Sequence, residues 1–316
     1  MFKTEICDTL GIEYPIILGG MIWVGRSALV AAVSEAGGLG LLGAGGMRID
    51  EIEKDLEEIR EKTGKPFGVN IPLIRPDADE MIAASIQGGA SVISTSAGNP
   101  KRYTQKIKDR GCKVIHVAFN VTGARKSAEA GVDVVVVEGF EAGGHNGVDE
   151  MTTMAMVPQA VRAVDKPVVA AGGICDGKGL VAALALGAKG VQMGTRFIAT
   201  HESAAHSNVK KAVLNVTDNG TCITGRTIAG PTRAVRNKLS ERILEAERRG
   251  TPPEELLEMI GEGRSIRACV DGDCEEGTIY CGQIGGYVRE LKSAREVIEE
   301  TIAEARAIVE SLRCLI

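Results

Sequence analysis

The chain has 316 residues, long enough for one large α/β domain plus a smaller appendage, and it is 44% hydrophobic and 25% charged. That balance excludes a disordered chain, and a net charge of −5 argues against a nucleic-acid surface as its main business. Met1 to Leu10 carries Lys3, Glu5 and Asp8, which speaks against a signal peptide. Apolar runs such as Val132 to Val137 are too short to span a bilayer. The eight cysteines, scattered over a chain too large to need staples, read as reduced thiols, so a cytoplasmic protein is expected.

Taken in chain order, eight short apolar runs alternate with longer helical patterns. The runs are Pro15–Leu18, Gly38–Leu42, Phe67–Ile71, Ser91–Thr95, Lys113–Val117, Asp133–Val137, Pro167–Ala171 and Gly190–Met193. Near-continuous hydrophobicity suits strands covered on both faces. Between them, Ile49 to Glu61 reads as a helix with Asp50 as its N-cap and Ile52, Leu56 and Ile59 on one side. Asp77–Gln87, Pro100–Arg110, Val121–Ala130, Met151–Val164 and Gly177–Leu186 follow the same form. Eight strand–helix units in about 200 residues predict a (β/α)8 TIM barrel.

After the eighth strand the rhythm stops. Residues 201–286 form a mixed-charge stretch, mostly helical in pattern, expected to be a cap or substrate domain. Within it Thr251-Pro252-Pro253-Glu254 reads as a helix start with a Thr cap. Leu291, Ala294, Ile298, Ile302, Ala305, Val309 and Leu312 then mark one face of a long helix, expected to be the eighth barrel helix. The barrel domain is therefore expected to be residues 1–200 plus 287–316.

In such barrels the active site lies where the βα loops converge, at the carboxyl ends of the strands. Gly172-Gly173 and Gly194-Thr195 follow strands seven and eight, where barrels bind phosphate through backbone N–H groups. Each pair also reads as a simple tight turn.

Gly19-Gly20-Met21, Gly68-Val69-Asn70, Glu141-Ala142-Gly143-Gly144-His145, Ala170-Ala171-Gly172-Gly173-Ile174 and Met193-Gly194-Thr195-Arg196-Phe197 lie at those strand ends. Together they resemble the nitronate monooxygenase (2-nitropropane dioxygenase) superfamily, over nearly the whole chain. The likeness is nearest to its enoyl-acyl-carrier-protein reductase II branch, the FabK type. Gly20-Met21-Ile22-Trp23-Val24, Glu202-Ser203-Ala204-Ala205-His206 and Gly282-Gln283-Ile284 carry that part; Cys281 and Tyr287 depart from it.

The resemblance implies FMN, lined by Met21, Asn70, Gly172, Gly173, Gln192, Met193, Gly194 and Thr195. Gly20, Gly143, Gly144 and Glu138 join them as cofactor-site candidates; Glu138 reads equally as a partner in a structural salt bridge. His145, after two glycines and over the expected flavin face, is the catalytic candidate, because an imidazole gives or takes a proton near neutral pH.

Two reactions fit. In one, NADH or NADPH reduces FMN, which passes hydride to an enoyl thioester on an acyl carrier protein while His145 protonates the α-carbon. In the other, a nitronate reduces FMN and oxygen follows. A non-catalytic flavin-binding protein is the third reading. The resemblance also suggests a monovalent cation near the cap, and a homodimer is expected.

Other signals read blandly. Gly38-Leu39-Gly40-Leu41-Leu42-Gly43 fits a dinucleotide fingerprint but reads as a strand preceded by a helix. Cys269, Cys274 and Cys281 lack the spacing of a zinc site, so no metal ligand is assigned. His116 reads as a core or barrel-interior residue. Arg233, Arg236, Lys238, Arg242, Arg248 and Arg249 read as a solvated face or a landing for an acidic carrier protein.

Overall fold

The computed structural model describes residues 2–228, 230–261 and 263–314. Helix α1 (Glu5–Leu10) precedes β1 (Ile16–Leu18). There follow α2 (Ser27–Glu35), β2 (Gly40–Gly43), α3 (Ile49–Lys62), β3 (Phe67–Pro72), α4 (Ala78–Gln87) and β4 (Val92–Ser96). Next come α5 (Thr104–Lys108), β5 (Lys113–Ala118), α6 (Val121–Glu129), β6 (Val134–Glu138), a two-residue strand β7 (Gly144–His145) and α7 (Thr153–Ala163). Strand β8 (Val168–Ala171), α8 (Gly177–Ala185) and β9 (Gly190–Met193) complete the barrel strands.

Eight of these strands form one parallel sheet in the order β1-β9-β8-β6-β5-β4-β3-β2. A parallel bridge between Ile17 and Leu39 brings its two edges together, giving a (β/α)8 barrel. Side chains alternate between two layers. Ile17, Leu41, Val92, Ile115, Val117, Val134, Val136 and Val169 fill the interior, while Leu18, Leu42, Val69, Ile93, Val135, Val137 and Val191 face the helices. Helix α1, which the sequence pattern did not suggest, adds Ile6, Cys7 and Leu10 to the interior cluster and plugs it from below.

Helix α3 begins one residue before the expected cap. Arg48 occupies the N-cap, Glu51 returns a hydrogen bond to its N–H at 2.9 Å, and Asp50 lies inside the first turn. The expected Pro100–Arg110 helix is a 3-10 turn at Pro100–Arg102 followed by the short α5.

Beyond β9 come α9 (Thr195–Ile198), α10 (Ser207–Leu214), β10 (Thr221–Thr224), β11 (Thr232–Val235), α11 (Lys238–Arg248), α12 (Pro253–Ile260) and α13 (Arg264–Cys269). This stretch is less helical than its sequence suggests. Strands β10 and β11 pair antiparallel, and β7 from the barrel adds on to make a three-stranded sheet. Pro252 rather than Thr251 stands at the N-cap of α12, where no side chain caps the helix. The last helix, α14 (Ala294–Arg313), starts at a Ser293–Glu296 capping box and packs on α8 and α2, closing the helical ring. Its buried face is Ala294, Val297, Ile298, Thr301, Ile302 and Ala305; Leu291 and Leu312 are exposed. Among the described residues no helix is long and apolar enough to cross a membrane, and all eight cysteines are free thiols.

Candidate active site

The period of two that fills the barrel with valine also decides what its upper end presents. Val69 and Ile71 face the helices, so Asn70 faces in; Val191 and Met193 face the helices, so Gln192 faces in. By the same count Glu138, one residue past Val137, turns inward as β6 ends. These three polar side chains line a cavity of about 620 Å³ at the carboxyl ends of the strands. Gly20, Met21, Gly143, Gly144, His145, Gly172, Gly173, Gly194 and Thr195 border the same space. Met193 does not: it is 1% exposed in the layer between strands and helices, so only its backbone lies near the cavity. His116 is buried as expected, but outward between strand and helix, where Nδ1 meets Thr95 Oγ1 at 2.7 Å. Burial pushes its pKa down to about 4.

The glycines at this end are demanded by close approach. A Cβ on Gly20 would stand 2.3 Å from Cβ of Asn70. Asn70 in turn accepts a hydrogen bond from Ser94 Oγ of the neighbouring strand β4 at 3.1 Å, which fixes its side chain. Gly172 and Gly173 have φ of 90° and 74°, a left-handed pair whose amides border the cavity. Gly40 and Gly43 of the fingerprint-like run are explained by packing, since added Cβ atoms would meet Val30 O at 2.1 Å and Met21 O at 2.3 Å.

The loop after β6 carries the catalytic candidate and is fixed from both sides. Glu141 accepts from the Thr153 N–H at 2.9 Å at the start of α7, and the Thr153 hydroxyl donates to Gly172 O at 2.9 Å. From the other side the Gln283 N–H donates to Glu141 O, and the Gly282 N–H donates to Thr195 Oγ1, each at 2.9 Å. A Cβ on Gly143 would lie 2.7 Å from the Cys281 backbone. The cap thus sits directly on the loop. His145 opens onto the cavity with its ring centroid 6.2 Å from that of Tyr280. The ring keeps an exposed face toward the cavity, while the protein packed around the rest of it lowers its pKa.

Glu138 forms no ion pair among the described residues, which removes the structural salt bridge as its explanation. Burial pushes its pKa up to about 8, leaving the carboxyl protonated at neutral pH and able to donate a hydrogen bond. Gln192 Oε1 is buried without a hydrogen-bond partner among the described residues. The roof is apolar: Val24, Ile198, Val209, Cys269, Ile279 and Ile284. Asn146, Tyr280 and Arg75 also line the cavity, and no periodicity or family motif singled them out. The basic cluster of the cap is neutralised: Arg236 pairs with Glu241, Lys238 with Glu275, Arg242 with Glu276, and Arg248 and Arg249 with Glu245. Arg233 belongs to no solvated face; it is 5% exposed.

The family model for nitronate monooxygenase matches residues 3–304, which takes in the barrel, the loop of His145 and the cap. The chain belongs to the nitronate monooxygenase family. Within this family's fold the structure of FabK from Thermotoga maritima is 43% identical, with a TM-score of 0.95 over 100% of both chains. A nitroalkane oxidase from Streptomyces ansochromogenes is 29% identical with a TM-score of 0.85, over 97% of this chain and 99% of that one. A Mycobacterium tuberculosis protein named (3aS,4S,5R,7aS)-5-hydroxy-7a-methyl-1-oxo-octahydro-1H-indene-4-carboxyl-CoA dehydrogenase is 32% identical over 99% of each chain. These relatives are oxidoreductases, and this nitronate monooxygenase family member is an oxidoreductase as well.

Proposed function

We propose that the chain is an FMN-dependent reductase of enoyl thioesters that takes its electrons from NADH or NADPH. The observation that carries this reading is the 43% identity to FabK over the full length of both chains, against 29% to the nitroalkane oxidase. A relative named for a carboxyl-CoA substrate adds support for a thioester.

The cavity residues fit FMN. Gly172-Gly173 and Gly194-Thr195 would take the phosphate on backbone amides, and the unpartnered Gln192 Oε1 would accept from the ring system. Asn70 and the protonated Glu138 would donate to it. When bound, FMN supplies a hydride relay between nicotinamide and substrate. The chain's own residues do the rest. Apolar side chains of the cap cover the acyl chain and exclude water, and His145 gives a proton to the thioester α-carbon. A ring that gives up a proton in each turnover must regain it from solvent, toward which His145 is open.

The second reading, nitronate oxidation with oxygen, is favoured by the family model's own description. In it His145 positions or deprotonates the nitro compound. His145→Ala tests its role in either reaction. We expect FMN to be retained and turnover to fall ~10²- to 10⁴-fold. Unchanged turnover would remove His145 from the mechanism.

A further inference from the structure

The position of His145 is set by its backbone, and that backbone is gripped from the cap. In the antiparallel pairing of β7 with β11, Thr232 stands opposite His145 and Arg233 opposite Gly144. The Asn146 N–H donates to Pro231 O at 2.8 Å, and Asn146 Nδ2 donates to Ala142 O and Gly144 O, both at 3.2 Å.

Arg233 adds a hold of a different kind. Its Nε and Nη2 both donate to Phe140 O, at 3.1 and 2.9 Å, and Nη1 donates to Thr221 Oγ1 at 3.3 Å. The guanidinium carbon lies 5.2 Å from the centre of the Phe140 ring. The fork thus fixes both the carbonyl and the side chain of the residue that opens the loop.

A buried guanidinium without a counter-ion is expensive unless its hydrogen bonds are well made. Arg226 and Arg236 hold Glu150 and Glu241 at 2.7 and 2.5 Å, whereas Arg233 makes no ion pair among the described residues. Its hydrogen-bond compensation therefore comes from the β6 loop and the hairpin beside it, with the Glu141 and Glu150 carboxylates favouring the charge from farther off. A planar fork matches one carbonyl with two donors, which a lysine cannot do.

We propose that Arg233 is a positioning residue for His145: it anchors the start of the loop at Phe140 while its own strand pairs with Gly144-His145, so that the imidazole is presented to the cavity at reacting distance. This inference rests on His145 acting as the proton donor or acceptor. A displacement of about 1 Å at a reacting group costs ~10²-fold in rate.

The test is a double-mutant cycle on the FMN-loaded enzyme, with Arg233→Met, Arg233→Lys, His145→Ala and the two doubles. Turnover is read with crotonyl thioester and with propyl nitronate, using whichever substrate the wild type accepts. Arg233→Met is expected to lower kcat ~10- to 100-fold, leaving KM within ~2-fold and FMN bound. Arg233→Lys, which keeps the charge but only one prong, recovers part of the loss. In the His145→Ala background either Arg233 change costs less than ~2-fold, because the group it positions is gone.

A second readout needs no flavin: titration of the His145 ring by imidazole NMR in the FMN-free protein, with His145→Ala assigning the resonance. Arg233→Lys is expected to loosen the loop, weaken the packing around the ring and move the His145 titration up toward its ordinary range. An equal loss of kcat in both backgrounds, or an unmoved His145 titration, overturns the positioning role. Full turnover in His145→Ala alone overturns instead the catalytic reading on which it rests. Should Arg233→Met not fold, Arg233→Lys carries both measurements.

Discussion

Replacing Glu138 by glutamine tests the electrostatics of the cavity floor. The side chain sits where β6 ends, turned into the barrel, and burial raises its pKa from an ordinary 4.5 to about 8. The folded protein therefore keeps a proton that the unfolded chain releases above pH 4.5. Stability must fall as pH rises through the interval from 4.5 to 8, by up to ~1.4 kcal/mol per pH unit. The full interval would amount to about 5 kcal/mol. The carboxyl is only partly enclosed, however, and keeps surface toward a cavity that water can enter. Solvent screening reduces the cost, and we expect about 3 kcal/mol between pH 5 and pH 8. Glu138→Gln has nearly the same shape and no charge to lose. Urea unfolding of the FMN-free wild type and variant at several pH values should give curves that diverge, the variant gaining ~3 kcal/mol on the wild type by pH 8. All other titrating groups are shared and cancel in the difference. Parallel curves would show that Glu138 ionises normally, and the neutral hydrogen-bond donor assigned to the cavity floor would be lost.

Further outcomes follow from close contacts. Gly20→Ala drives a methyl into Asn70 and should cost ~1–3 kcal/mol in unfolding experiments while weakening FMN at least tenfold in a fluorescence titration. Wild-type FMN affinity in that variant would mean that Asn70 does not contact the cofactor. Thr195→Val leaves the buried Gly282 N–H without its acceptor, for a loss of ~1–3 kcal/mol that Thr195→Ser should largely restore. If serine fails to restore it, the hydroxyl is not the tie between cap and barrel. Gly143→Ala pushes against the Cys281 backbone and should lower Tm by several degrees and loosen the cap, seen as faster proteolysis within residues 270–290. An unchanged digestion pattern would contradict the contact.

The barrel was legible because its strands are buried on both faces. Val134 to Val137 is four valines, two for each layer, and no other element would use them so. The ends of the strands were legible to within a residue or two because glycines and polar residues begin where the interior valines stop. The cavity followed from those ends, and twelve of the thirteen site candidates border it.

The Met193 side chain faces away from the cavity because a family motif spans consecutive residues whereas a strand alternates them. Gln192 faces in, so its neighbour cannot. The hairpin of the cap was hidden by its own function. Strand β11 carries a buried arginine between Thr232 and Ala234, and its alternation therefore reads as a charged surface. Arg233 shows its role only when Phe140, 93 residues earlier, is brought beside it. No local pattern carries a contact of that range. Thr251 failed as a cap for a local reason: Pro252 has φ of −55° and takes the N-cap position itself.

The most direct test of the proposed function is anaerobic reduction of the purified FMN-loaded protein, followed by its absorbance in the flavin band. One sample receives NADH or NADPH and another propyl nitronate; crotonyl thioester is then added to the reduced protein. The account predicts bleaching by the nicotinamide and recovery of colour on adding the thioester. Bleaching by the nitronate alone, with no recovery on adding thioester to protein reduced by dithionite, would contradict it and make the chain a nitronate-oxidising enzyme.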